Sequence, residues 1–380
     1  MRAANEIDFW RGFALVTIFI NHIPGLTFER FTFRNISLSD SAELFVFLAG
    51  WAMRLLVQGS AGSLSPFLLV MRLGSRGLSI YAAQTVLTEL AIAMLAGCSI
   101  LLDAPFLLDW HNASAVFLDP IRAHVGLVLL TYQLGYFNIL PLYVVLTFLA
   151  PGIVLLHRIQ PRLVLPLSVS IYLVVLIWGL NVPTWPDEGT WFFNPFAWQL
   201  LYVLGFLLAG QDGVGAWARR HRRLLRLLAV PIVLIGIPVA LIDYAPDPIA
   251  VPEPKLFFMF DKTFLSPVPL LHSLALVALV GGLFPMIFGA LPGLCRFLAL
   301  LGRNSLNVFC MGSLLSLGGQ IFRFVFGGRV ATDAILVIFG IAIMGLVAWA
   351  SEWRNRLQAR SSGVSDGSAD QPRSISALPG

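Results

Sequence analysis

An all-α fold, a polytopic integral membrane bundle of about ten transmembrane helices with both termini in the cytoplasm, is what this sequence predicts. Three observations carry the prediction. Of 380 residues, 58% are hydrophobic and 12% charged, against about 45–50% and about 25% in soluble domains. Apolar runs long enough to cross a bilayer recur along the chain, separated by Pro, Gly, Asp and Arg clusters. Lysines and arginines gather in alternate connecting segments.

The expected spans are 10–28, 41–57, 77–101, 139–156, 163–180, 196–211, 226–243, 269–290, 304–325 and 333–350. The first begins near the N-terminus behind Arg2 and Arg11. Asn21, His22 and Pro24 follow it, in place of a small-residue cleavage site, so it reads as a membrane helix and not a signal peptide. Residues 124–138 and 291–303 are apolar but too short to cross, and are expected to be interfacial or re-entrant. The Ser/Gly/Pro-rich end has no material for a core. Residues 1–355 are therefore expected to form one membrane domain and 356–380 a disordered cytoplasmic tail.

With the N-terminus inside, the cytoplasmic segments hold Arg2, Arg54, Arg72, Arg76, Arg158, Arg162, the Arg219–Arg226 run, Arg296, Arg303, Arg354, Arg356, Arg360 and Arg373. The opposite segments hold only Arg30, Arg34, Arg122, Lys255, Lys262, Arg323 and Arg329. That asymmetry sets the orientation. The outer segments are acidic and aromatic, with Asp103, Asp109, Asp119, Asp187, Glu188, Asp247, Glu253 and Asp261 beside Trp110, Trp185 and Trp191. The run ARRHRRLLR from Ala218 to Arg226 is expected to fix topology and touch anionic headgroups. No basic stripe interleaves with aromatics on a soluble face, so nucleic acid is not an expected partner.

Ionisable groups inside a bilayer are costly and usually functional. Arg11 and His22 are about three helical turns and ~16 Å apart on nearly the same face of the first helix. This puts a cation near the cytoplasm and an imidazole deeper in, a face suited to an anionic ligand arriving from inside. Arg72 and Arg76, one turn apart, offer two forked guanidiniums of the kind that bind phosphate. Asp40 and Glu43 open the second helix. They are placed to orient His22 or bind an acceptor hydroxyl, and equally to cap the helix.

His157 and His221 fall in basic inner loops. His111, His124 and His272 fall in outer or interfacial segments, His272 being the best placed of them for an acceptor. Cys98, Cys295 and Cys310 lie in apolar runs without ligand spacing, and no metal is expected. The triplets at Asn35–Ser37 and Asn112–Ser114 match a glycosylation pattern that is common by chance. No Walker loop, dinucleotide fingerprint, GxSxG elbow or HExxH helix occurs.

The opening NEIDFWRGFALVTIFINHIPG, followed by SDSAELFVFLAGW, resembles the OpgC-type succinyltransferases of osmoregulated periplasmic glucans, within the type-3 membrane acyltransferases. The superfamily's arginine and histidine, ten residues between them, fall on Arg11 and His22. Its paired arginines and following tyrosine fall on Arg72, Arg76 and Tyr81. FNPFAWQLLYVLG (Phe193–Gly205) and LGRNSLNVF (Leu301–Phe309) also resemble the OpgC branch. Ser79 stands where many members of the wider superfamily have proline, and Met311 where many have a histidine.

The resemblance implies transfer of a succinyl group from cytoplasmic succinyl-CoA to glucose hydroxyls of a periplasmic glucan, in the bacterial inner membrane. No permanently bound cofactor is expected. His22 would act as general base or be transiently acylated, and Asp40 or Glu43 would fix its tautomer. Arg11, Arg72 and Arg76 would hold the donor's phosphates. Trp185, Trp191, Phe192, Phe193 and Trp198 would offer faces to sugar rings. Two other readings stay open: acetyl or other O-acyl transfer to lipopolysaccharide or exopolysaccharide, and a glycan transporter or flippase. The transporter reading is weakened because ionisable groups concentrate in the first three helices and no internal repeat is visible.

Overall fold

The computed structural model describes residues 4–59, 62–242 and 260–367, with side chains to residue 358. Arg2, Asp247, Glu253, Lys255, Arg373 and tail residues 368–380 lie outside them. Fifteen α-helices follow one another, and among the described residues there is no strand beyond a single bridge between Pro183 and Thr190.

Helix α1 (Glu6–Asn21) starts on Asn5, whose side chain accepts from the Asp8 amide at 2.9 Å. It ends four residues before Gly25, so the first span is shorter than the expected 10–28. Pro24 keeps the residue before it out of helical geometry, and Gly25 turns the chain at φ +76°. Short 3₁₀ segments, Thr27–Phe31 and Phe33–Ile36, lead to α2 (Ser41–Gln58). Helix α3 (Pro66–Leu101) begins about three turns before the expected position. A 3₁₀ segment (Pro105–Asn112), α4 (Ser114–Leu118) and α5 (Pro120–Leu129) then make the interfacial stretch.

Next come α6 (Ile139–Ile159), α7 (Pro161–Trp178), α8 (Pro195–Leu208), α9 (Gly213–Arg220) and α10 (Arg222–Leu241). The C-terminal part holds α11 (Pro267–Val280), α12 (Phe284–Ala290), α13 (Pro292–Arg303), α14 (Ser305–Phe326) and α15 (Val330–Gly367). Proline occupies the first position of α3, α5, α7, α8, α11 and α13, where its fixed φ and missing N–H cost nothing.

Among the described residues, seven helices are long and apolar enough to cross a membrane: α2, α3, α6, α7, α10, α14 and α15. Two bent pairs raise this to nine, α8 with α9 at 71° and α11 with α12 at 55°. The expected 196–211 and 269–290 spans are thus broken helices, and α1, with 16 residues, is shorter than the ~20 that a transmembrane helix needs. The chain is a polytopic helical membrane protein. The expected tail boundary at 356 lies inside α15, which continues to Gly367.

Helices α1, α2, α8, α13 and α14 form the centre. Where α1 crosses α13, a side chain at Gly302 would strike the Asp8 carbonyl, and one at Gly12 the Leu298 carbonyl. Where α2 crosses α8, Gly50 and Gly205 meet the backbones of Tyr202 and Phe47 in the same way. Small residues let these backbones touch, which is how helices gain dispersion contact in lipid.

Polar ties fix the two ends of the bundle. At the His22 end, buried Asp333 accepts from the Thr27 amide and hydroxyl, each at 2.8 Å, and pairs with Arg323. Arg323 also donates to the Gly25 carbonyl at 2.7 Å. The turn after His22 is thereby bound to α14 and α15. At the other end Arg54 of α2, 6% exposed, donates to Asp212 at 2.7 Å and to the His157 ring, tying α2, α6 and the α8–α9 bend together.

Candidate active site

The Arg11 half of the bundle holds a cavity of about 1120 Å³. On α1 its lining runs from Asn5 to Arg11, and on α2 from Leu44 to Leu56. Three cations reach it: Arg11, Arg76 of α3 and Arg219 of α9. Arg11 donates to the Leu48 carbonyl at 3.3 Å, which uses one of its five N–H donors. Tyr143 and Tyr202 also line the space. The Tyr143 hydroxyl is buried without a hydrogen-bond partner among the described residues. Guanidiniums and phenols around an elongated, largely apolar space suit a ligand with an anionic head and a thin apolar arm.

The sequence places Arg219 in a run read as a topology signal. The 71° bend between α8 and α9 brings it to the cavity instead, and its hydrogen bond to the Gly210 carbonyl holds it there. Arg72 is exposed and is not among the lining residues, so of the arginine pair only Arg76 reaches the cavity.

His22 is the C-cap of α1 and lies beyond the cavity, not on its wall. Among the described residues the cavity that holds Arg11 and Arg76 therefore does not extend to the imidazole on the same helix. Phe45 and Phe309, with rings stacked at 6.2 Å, and Tyr143, 5.2 Å from Phe45, are packed aromatics of the cavity lining. The lining of α2 stops at Leu44, short of Asp40 and Glu43.

These two carboxylates do not orient His22, whose Nδ1 is buried with no partner among the described residues. They form a capping box instead. Asp40 accepts from the Ala42 amide at 2.7 Å, and Glu43 reaches back to the Asp40 amide at 2.9 Å. Each group satisfies an amide at the helix start that has no intrahelical acceptor. Both also face Lys262, which pairs with Asp40 and stands 4.0 Å from Glu43.

The neighbours of His22 come from elsewhere. Tyr136 packs on it at 4.8 Å between ring centroids, and His111 packs edge-on to the same phenol at 5.2 Å. Gln320 of α14 donates to the His22 carbonyl at 2.6 Å and takes the His111 Nε2 contact at 2.7 Å. His111, Tyr136 and Gln320 carry no signal in the sequence that joins them to His22. Their segments are far apart in the chain, and backbone turns bring them together.

His272, expected as the best acceptor histidine, is wholly buried. Its Nδ1 faces Ser39 at 3.1 Å and Ser37 at 3.4 Å, and its Nε2 abuts Gly236. It ties α10 and α11 to the start of α2. Of the aromatics expected to face sugars, Trp198 is fully buried and donates to the Lys262 carbonyl. Trp191 and Phe193 are also buried, while Trp185 and Phe192 expose their faces. Tyr81 donates to the Val128 carbonyl at 2.8 Å, joining α3 to α5.

The model of the OpgC protein family matches residues 3–356. The chain belongs to the OpgC family. No curated protein and no solved structure matches it. OpgC membership points to modification of a glucan by acyl transfer, hence to an acyltransferase-like membrane enzyme. On α1 the arginine cavity and the polar cluster around His22 lie at opposite ends.

Proposed function

We propose that the chain moves a succinyl group from succinyl-CoA to a glucose hydroxyl of a periplasmic glucan. In this reading it crosses the bacterial inner membrane about ten times with both termini inside, counting α1 and both bent pairs as spans. The single observation that carries it is the division of α1: a three-arginine cavity at the Arg11 end and a half-buried imidazole about three turns away.

The donor's phosphates would lie against Arg11, Arg76 and Arg219, with Arg72 at the cavity mouth. Its acyl arm would run along α1 past Phe45, Tyr143 and Phe309, whose side chains must turn aside to admit it. His22 would take the proton from the sugar hydroxyl as that oxygen attacks the thioester carbonyl. The tetrahedral adduct would then expel the thiolate, and the imidazolium would return the proton to sulfur. Proton transfer of this kind is worth ~10²–10⁴-fold. Asp40, Glu43 and Lys262 would shape the acceptor side, with the exposed faces of Trp185 and Phe192 meeting sugar rings.

Mass spectrometry of periplasmic glucans from cells with and without the chain tests the assignment. The expected result is a succinyl mass increment that requires the chain and disappears with His22→Ala. An acetyl increment would reassign the donor, and no increment would remove the function.

A further inference from the structure

Two routes run from His111 to His22. The first is through hydrogen bonds. Gln320 must present its amide nitrogen to the His22 carbonyl, so its oxygen faces His111. His111 Nε2 therefore carries the proton and donates. The second is through packing, with the Tyr136 ring touching both imidazoles.

The segments that supply these groups are held in costly conformations. His111, Asn112 and Tyr136 have φ of +57°, +61° and +65° without being glycine. Non-glycine residues held there cost on the order of 1–3 kcal/mol each and cluster at functional sites. Local bonds keep them in place. The Gly135 amide donates to the His111 carbonyl at 2.8 Å, and the Tyr132 hydroxyl to the Asn112 carbonyl. His22 sits where helical geometry ends, and among the described residues its Nδ1 has no hydrogen-bond partner to fix the ring.

Resting on the reading of His22 as the base, we propose that His111 is a positioning residue of the transfer site. Through Gln320 it holds the His22 backbone, and through Tyr136 it holds the imidazole face. It touches neither donor nor acceptor. Its loss lets the base drift from the attacked hydroxyl without altering the arginine cavity, and a misplacement of about 1 Å can cost ~10²-fold in rate.

The test compares His111→Ala, His111→Gln and His22→Ala in membranes carrying the full chain, with succinyl-CoA and a glucose-based glucan. Expected for His111→Ala is a fall in kcat of about tenfold to hundredfold, with the KM for succinyl-CoA unchanged. His111→Gln should recover most of the loss, because its amide N–H can reach Gln320. A second measurement is independent of donor identity. Carbethoxylation of His22 by diethyl pyrocarbonate, mapped by mass spectrometry, should speed up severalfold in His111→Ala and not in His111→Gln. Wild-type kcat and unchanged labelling in His111→Ala would overturn the proposal while leaving the base in place. So would equal losses in the Ala and Gln variants. Full turnover by His22→Ala would remove the base assignment and this proposal together.

Discussion

The cavity sorts the arginines by what they reach. Arg11, Arg76 and Arg219 line it, while Arg72, one turn nearer the start of α3, does not. A lost charge-assisted hydrogen bond costs about 1.5–3 kcal/mol. Arg76→Ala and Arg219→Ala should each raise the KM for acyl-CoA by about tenfold or more, with kcat little changed, and Arg72→Ala should raise it less. Steady-state kinetics in membrane vesicles checks the order; equal KM values in all three variants would detach the cavity from the donor. The Arg11–His22 spacing was legible in the sequence, and capping of α2 by its acidic start was one of two readings left open there; the reciprocal capping box was not foreseen. Arg219 was hidden because a polybasic run has a sufficient generic explanation, and the bend that redirects it depends on tertiary packing. His111 was hidden because its φ and its contact with Gln320 across 209 residues follow from no local pattern.

Helix ends decide how the two halves of the site are held. The turn after His22 hangs on Asp333, which is 0% exposed and satisfies Thr27 and Arg323 together. Removing one partner of a buried pair leaves an uncompensated charge and costs about 3–5 kcal/mol. Asp333→Ala should therefore lower the thermal unfolding midpoint in detergent clearly, and with it acyl transfer. An unchanged midpoint would show that the turn is held without this pair. The opposite end depends on Arg54 and Asp212, which set the α8–α9 bend and so the reach of Arg219. Neither tie could be read from the chain, because charges at helix ends look alike whether they face headgroups or each other. Most helix starts could be read, since proline at the first position or a side-chain cap marks them.

Across the whole molecule, hydropathy predicted the class and the approximate order of spans. It did not predict that two spans are broken or that α3 begins early at Pro66, because a window average does not respond to a bend at glycine, and Arg72 and Arg76 interrupt the apolar run through which α3 continues. The length of α3 has a further consequence. Its 36 residues extend ~54 Å, against a hydrocarbon thickness of about 30 Å. Even a tilt of ~40° leaves nearly three turns, ~15 Å of helix, projecting beyond the lipid tails. The apolar far end, with Ile100 and Leu101 more than four-fifths exposed, belongs among those tails, so the projecting turns are the ones bearing Arg72 and Arg76. Those guanidiniums then stand at headgroup depth, where anionic lipid and the donor's phosphates compete for them. Reconstitution into phosphatidylglycerol-rich vesicles should raise the apparent KM for acyl-CoA above that in purely zwitterionic ones, making bilayer composition a rheostat on the enzyme's appetite for its substrate.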